Sequence, residues 1–305
     1  MREGKHMNFT MFRYLTGRNI RLYFKNKSTF FMSLITPLIL MVLFVTFLKR
    51  VYETNLVEMI GGLELDSSIL NGFTGSWLIS SILGVSCITV AFCSNIIMVE
   101  DRINGSVSDL LVAPVKRNIL ALSYYVANFF TTLIVVVTAL AAGLIYLGAV
   151  GWYLSAMDVL YVVLDVILYT LFGTALTAVV EHFISSRGGV SAVATLVSSM
   201  YGFLCGAYMP VSQFSQGIRN FVSLLPGTYG VVLLRRHLMG GVVDALSDSI
   251  PKEAVDGIRF GFDMDFTFFD NKVQPWHMVL VIAGATVLLM AVYILLNALQ
   301  NKKKN

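Results

Sequence analysis

The chain is 305 residues long, with 56% hydrophobic and 13% charged residues and a mean hydropathy of +0.75. A soluble domain carries about 25% charged residues, so this is the composition of an integral membrane protein, expected to be all-α with long apolar helical runs. The net charge of +4 is small, and Lys and Arg nowhere cluster densely enough for a nucleic-acid partner.

In chain order, the stretch 1–28 comes first and carries Arg2, Lys5, Arg13, Arg18, Arg21, Lys25 and Lys27, with no small-residue cleavage site after an apolar core. On a helical wheel over Asn8–Lys27, Phe12, Leu15, Leu22 and Tyr23 share one side and Arg18, Arg21 and Lys25 the other. That pattern fits a helix lying on an anionic leaflet; a plain positive-inside anchor is the alternative.

Six spans are expected against a requirement of about 20 apolar residues: Thr29–Leu48, Ser76–Val99, Ser123–Val150, Met157–Val180, Val190–Met209 and Trp276–Leu299. They make one transmembrane domain over 29–299, followed by a basic tail at 300–305. Pro37 should kink the first span, since it removes a backbone donor. An even number of spans places both termini on one side. Lys and Arg concentrate in the N-terminal segment, the loops Glu100–Asn118 and Glu181–Gly189, and the tail Lys302–Lys304, so that side is cytoplasmic and the protein belongs in the plasma membrane. Cys87, Cys93 and Cys205 fall inside apolar runs as small apolar side chains, implying neither disulfide nor metal site.

The first cytoplasmic loop, Glu100–Leu120, is the densest cluster of charge, Gly and Pro between two apolar runs. Asn104–Gly105–Ser106 reads as a turn. Ser106 is the expected N-cap, Asp109 lies in the first helical turn, and a two-turn helix Val107–Val112 ends at Pro114, with Lys116–Arg117 at the membrane surface. Leu110 and Leu111 on so short a helix call for a partner surface, and Glu100, Asp101 and Arg102 would fix its base by pairing with the basic N-terminal helix.

Polar residues inside the spans come next. Ser80, Ser81, Ser86, Thr89, Ser94 and Asn95 in the second span, with Ser191, Thr195, Ser198, Ser199 and Tyr201 in the fifth, make these the most hydroxyl-rich spans. They read as a translocation path or as hydroxyls that let helices approach closely. Asp165 is an intramembrane charge sharing a helical face with Tyr161 and Tyr169. It reads as a substrate or gating residue, or as a structural hydrogen bond to a neighbouring span or to one of those tyrosines.

On the outer side, Lys49–Gly75 is expected as a loop and Gly151–Ala156 as a tight link. After Met209–Pro210, the residues Phe214, Ile218, Phe221, Val222 and Leu225 form an apolar stripe, and Pro226–Gly227 breaks the chain. A second helix is expected over Thr228–Met239, capped by Thr228 and stopped at Gly240–Gly241, so the pair reads as re-entrant. Such a stripe beside a chain break has to pack against other helices at membrane depth, which marks Phe221, Leu225 and Pro226 as an outer gate. A short helix from Pro251 to Arg259 and an extended FGFDMDFTFFD stretch complete the segment.

No G-x-x-x-x-G-K-[ST] phosphate loop occurs in the chain, and His6, His182, His237 and His277 sit near or outside the span boundaries. An enzyme is therefore not the expected class. An ion-coupled secondary transporter or channel is the alternative to a pump driven from outside the chain.

The loop Glu-Asp-Arg-x-x-Gly-Ser-x-x-x-Leu-Leu-x-x-Pro-Val-Lys-Arg at Glu100–Arg117, the Met209–Pro210 end of the fifth span, Leu224–Leu225–Pro226 and Leu234–Arg235 resemble a type-2 ABC exporter permease over almost the whole chain. The resemblance implies a six-span subunit that itself binds no cofactor. It pairs with a second permease, identical or related, and is driven by two copies of a separate ATPase holding ATP and Mg. It implies that Glu100–Pro114 is the coupling element, that the second and fifth spans face the partner across the path, and that Met209, Pro210 and the re-entrant pair close the outer mouth. The drug, haemolysin and peptide exporters are the branch it most resembles. With no buried cationic cluster, an amphipathic or lipid-like cargo is expected over a polyanion.

Overall fold

The computed structural model describes residues 2–112, 117–247, 249–269 and 271–302, with side chains described from residue 9 to residue 299 except at residue 111 and the intervening gaps. Helix α1 (Arg2–Lys25) comes first. Its Tyr23 is buried and shares a hydrogen bond with Ser33 Oγ at 2.7 Å, which ties α1 to the first span.

Asn26 then caps α2 (Lys27–Leu43), its side chain accepting from the Thr29 N–H. A π-helical turn at Phe44–Leu48 leads without a break into α3 (Lys49–Met59). The rod Lys27–Met59 is 33 residues long, about 50 Å at 1.5 Å per residue, so its outer part projects beyond a hydrocarbon core of about 30 Å. The helix runs on through Pro37, and a π turn follows at Phe44–Leu48. One expectation is corrected here. The loop expected from Lys49 is helical up to Met59, because Tyr52 and Leu56 are buried in a cluster with Trp77 and Phe262.

Helix α4 (Ser67–Ile103) starts from an Asp66 cap that accepts from the Ser68 N–H at 3.1 Å. It stands at the centre of the bundle and is buried along most of its length. After the short helix α5 (Ser106–Val112), α6 (Arg117–Val150) and α7 (Ala156–His182) pack against α4. The tight link between α6 and α7 ends in a capping box, Ser155 with Asp158. Gly173 on α7 lies against the Cys87 carbonyl of α4, a contact with no room for a Cβ.

Helix α8 (Arg187–Leu204) is capped by Ser186 and is 18 residues long. A link with a 3-10 turn at Val211–Gln213 leads to α9 (Gln216–Ser223), α10 (Pro226–Ser247) and α11 (Lys252–Gly261). Helix α10 begins at Pro226, two residues before the cap expected at Thr228, whose hydroxyl instead donates to the Val222 carbonyl at 2.9 Å. It also runs through Gly240–Gly241, where the absent side chain of Gly241 lets α10 press against the Tyr153 carbonyl. The aromatic–acidic stretch becomes a small antiparallel hairpin, β1 (Phe266–Phe268) and β2 (Asn271–Val273), with Phe266 opposite Val273. Helix α12 (Pro275–Lys302) closes the chain.

Among the described residues five helices are long and apolar enough to cross a membrane: Lys27–Met59, Ser67–Ile103, Arg117–Val150, Ala156–His182 and Pro275–Leu299. The molecule is an all-α multi-pass membrane protein apart from that hairpin. The fifth expected span, Val190–Met209, is not among the five: its helix is Arg187–Leu204, and those 18 residues, which include Arg187 and four Ser or Thr, are less apolar than the five rods.

Candidate functional site

The end of the bundle beside α5 is a corner tied by polar contacts. Asp101, near the end of α4, accepts from both Nη atoms of Arg18 at 2.6 and 3.1 Å and from the Tyr124 hydroxyl at 2.6 Å. The bond to Asp101 raises the Arg18 guanidinium above its ordinary value, against the opposing effect of burial. Arg102 donates to the His182 carbonyl at 3.0 Å, Arg187 donates to Asn104 Oδ1 at 2.8 Å, and the Glu100 carbonyl accepts from the Asn104 N–H. α1, α4, α6, α7 and α8 all meet there.

α5 hangs from this corner through Gly105, whose φ of +80° is one that side chains rarely adopt. The Gly105 carbonyl accepts from the N–H groups of Ser108 and Asp109, so Gly105 holds the cap position expected for Ser106, which is instead the first helical residue. Val107 and Leu110 pack inward against Leu15, Met98, Val99, Leu120, Tyr124 and Val190. Leu110 is thus partly covered by its own chain, and among the described side chains of α5 the apolar one turned outward is Val112, 87% exposed. The Leu111 side chain and Pro114 lie outside the described residues.

An apolar groove of about 640 Å³ opens along α2 and α8. Thr29, Thr36, Ile39 and Leu43 line one wall; Ser191, Thr195, Ser198 and Ser199 line the other; Phe92 and Cys93 of α4 form its floor, and Phe203 and Tyr208 stand at one end. The wall opposite α8 comes from the first span. The second-span residues face their own chain because α4 is central. Ser86 is buried, Thr89 donates to the Val85 carbonyl at 3.1 Å, and Asn95 donates to Glu181 Oε2 at 2.9 Å. Tyr201 likewise turns inward, its hydroxyl 2.6 Å from that of Tyr169.

At the opposite end of the bundle Pro210 is buried, and Met209, Leu225 and Pro226 are half-buried. The stripe expected to pack inward divides: Val222 is buried and Phe214 and Leu225 are half-buried, whereas Ile218 and Phe221 are exposed, Phe221 to 57%. α9 is only two turns long, and its inward side is Val222 and Ser223, held by α10 through Thr228 and through Tyr229, which donates to the Ser223 carbonyl at 2.7 Å.

Two polar contacts were not foreseen from the sequence because their partners lie far apart in the chain. His237 Nδ1 of α10 is 2.6 Å from Asp165 Oδ2, and the His237 ring stacks on Tyr161 at 5.0 Å between centroids. Neither expected tyrosine bonds to Asp165; Tyr169 donates to the Gly227 carbonyl. Arg235, fully buried, pairs with Asp263 at 3.1 Å. The Leu234–Arg235 pair in the sequence was the one available signal, and it did not reveal the acid.

No curated protein is similar enough to count as a relative. The family model described as "ABC-2 family transporter protein" matches residues 52–299, from the end of the first rod to the last helix. A match over that much of the sequence, on a bundle of helices long and apolar enough to cross a membrane, means that the chain belongs to the ABC-2 transporter family.

Proposed function

We propose that the chain is the permease subunit of an ATP-driven exporter that moves an amphipathic or lipid-like molecule out of the cell. The observation that carries this reading is the α5 corner. A two-turn helix with an exposed Val112 is set off the bundle by a Gly105 turn and braced through Arg18–Asp101 and Arg102–His182. A brace of that kind transmits force only if something outside the chain pushes on α5. Two copies of a separate ATPase, each binding ATP and Mg, supply that push, and a second permease, identical or related, faces the first. Glu100, Asp101, Arg102, Gly105, Ser106 and Leu110 form the coupling element, with Leu111 and Pro114 completing it in sequence.

The groove supports the cargo class. Its walls are apolar with scattered hydroxyls from Thr36, Thr195, Ser198 and Ser199, and no Lys or Arg lines it. An acyl or other apolar moiety gains from such a surface, while a polyanion would find no counter-charge. The six crossings that the exporter reading needs include α8.

The test is co-expression with the candidate ATPase in lipid vesicles. A stable complex should hydrolyse ATP and move an amphipathic fluorescent probe only when ATP and Mg are present. Transport driven by an ion gradient in ATP-free vesicles would instead establish an ion-coupled carrier and remove the exporter reading.

A further inference from the structure

Arg235 lies on α10 where that helix passes the outer end of α8. Its Nη2 donates to the Gly206 carbonyl at 2.8 Å and to Ser81 Oγ at 3.3 Å, and its Nη1 donates to Asp263 Oδ2 at 3.1 Å. The guanidinium lies 5.1 Å from the centre of the buried Trp77 ring. Asp263 has a φ of 53°, a left-handed conformation that Asp tolerates better than most residues. Its carboxylate also accepts the backbone N–H groups of Val211 and Ser212.

A buried ion pair is weak evidence for stability, since desolvation offsets much of its attraction. What matters is where these bonds land. They hold both ends of one short link, the carbonyl at Gly206 and the N–H groups at Val211 and Ser212. Between the anchors stands Tyr208, which lines the groove, donates its hydroxyl to the Ser198 carbonyl and accepts on its own carbonyl from Tyr52. So few residues, fixed at both ends, have little slack to displace a ring by several ångströms.

We propose that Arg235 and Asp263 are positioning residues that hold Tyr208 as the outer wall of the groove, so that the groove opens outward only when this pair releases the link. The proposal rests on the groove being the cargo path of the exporter reading. Amide hydrogen exchange on the purified full-length chain in lipid nanodiscs tests it without an ATPase or cargo, so its failure is distinguishable from failure of that reading.

In the unaltered protein the amides of Val211 and Ser212 should exchange as slowly as those of α10, although they lie in a link. Arg235→Lys keeps the charge but loses the fork, and Asp263→Asn keeps the shape but loses the charge. Each should raise exchange across 206–212 at least about tenfold, equal to about 1.4 kcal/mol of opening free energy, and leave the inner end of α4 unchanged. A polarity-sensitive dye on Ser199→Cys, with Cys93→Ser, should shift toward its emission in water in the Asp263→Asn background.

Loop-like exchange at 211–212 in the unaltered protein would overturn the proposal, a result that stands even if a variant fails to fold. Unchanged exchange in both variants, a rise spread evenly over all spans, or an unmoved dye beside raised exchange would overturn it as well.

Discussion

A carboxylate two turns inside an apolar helix has to find a partner, and Asp165 finds one on α10 in His237. Removing one member of such a pair leaves the other buried and unsatisfied, a loss of about 1–3 kcal/mol. Asp165→Leu should therefore lower thermal stability by that amount, whereas Asp165→Asn retains an acceptor for the imidazole and should fold nearly normally. Thermal unfolding of the two variants side by side checks this; equal loss in both would mean that the charge itself holds α7 to α10.

Asp265 gives the corresponding case in water. Burial pushes its carboxyl up, but the hydrogen bond and charge of Lys272, with the charge of Arg236, more than offset that and hold it below the ordinary aspartate value. Its folded form therefore binds the proton less readily than the unfolded form. The stabilisation is complete above the ordinary value of about 3.9 and is lost as pH falls through and below it. Proteolytic cutting at the β1–β2 hairpin should increase between pH 6 and pH values of about 3. Asp265→Asn should show that increase already at pH 6, with no further acid step.

For the elements, boundaries governed by local chemistry were legible and those governed by distant contacts were not. The Gly105 turn, the tight link after α6 and the short helix after Pro251 announce themselves in neighbouring residues. The outward run of α3 depends on Tyr52 meeting Trp77 and Phe262, and the passage of α10 through Gly240–Gly241 depends on the Tyr153 carbonyl; no local window contains those partners. Periodicity also found the α9 stripe but could not say which way it faces. The same limit applies to α5, where Leu110 packs on its own chain and Val112 points out. Leu110→Ala should therefore lower the melting temperature, at about 1–2 kcal/mol, below the 2–5 kcal/mol of a fully buried leucine. Val112→Asp should leave stability within about 0.5 kcal/mol while weakening capture by the ATPase at least about tenfold. Unfolding scans and pull-down with the ATPase separate the two effects, and an unchanged affinity for Val112→Asp would show that α5 does not use this face.

At the scale of the whole molecule, the number of crossings decides on which side the C-terminus lies, and α8 is the helix that decides it. Its 18 residues span about 27 Å at 1.5 Å per residue, slightly less than a hydrocarbon core of about 30 Å, and it is not among the five helices long and apolar enough to cross. Its ends are nonetheless anchored at opposite ends of the bundle. Arg187 donates to Asn104 beside the last turn of α4, and just beyond α8 the Tyr208 carbonyl accepts from Tyr52, far along the rod that starts at Lys27. Tyr208 and the link behind it extend the reach that the helix lacks. α8 should therefore be a sixth crossing, which returns the chain to its starting side. Reporter fusions that fluoresce only in the cytoplasm, placed after residue 25 and after residue 302, should both be bright, and a third placed in the 60–66 link should be dark. A dark C-terminal fusion beside a bright N-terminal one would mean five crossings, with α8 lying along or within one leaflet, and would remove the groove's passage from one side of the membrane to the other.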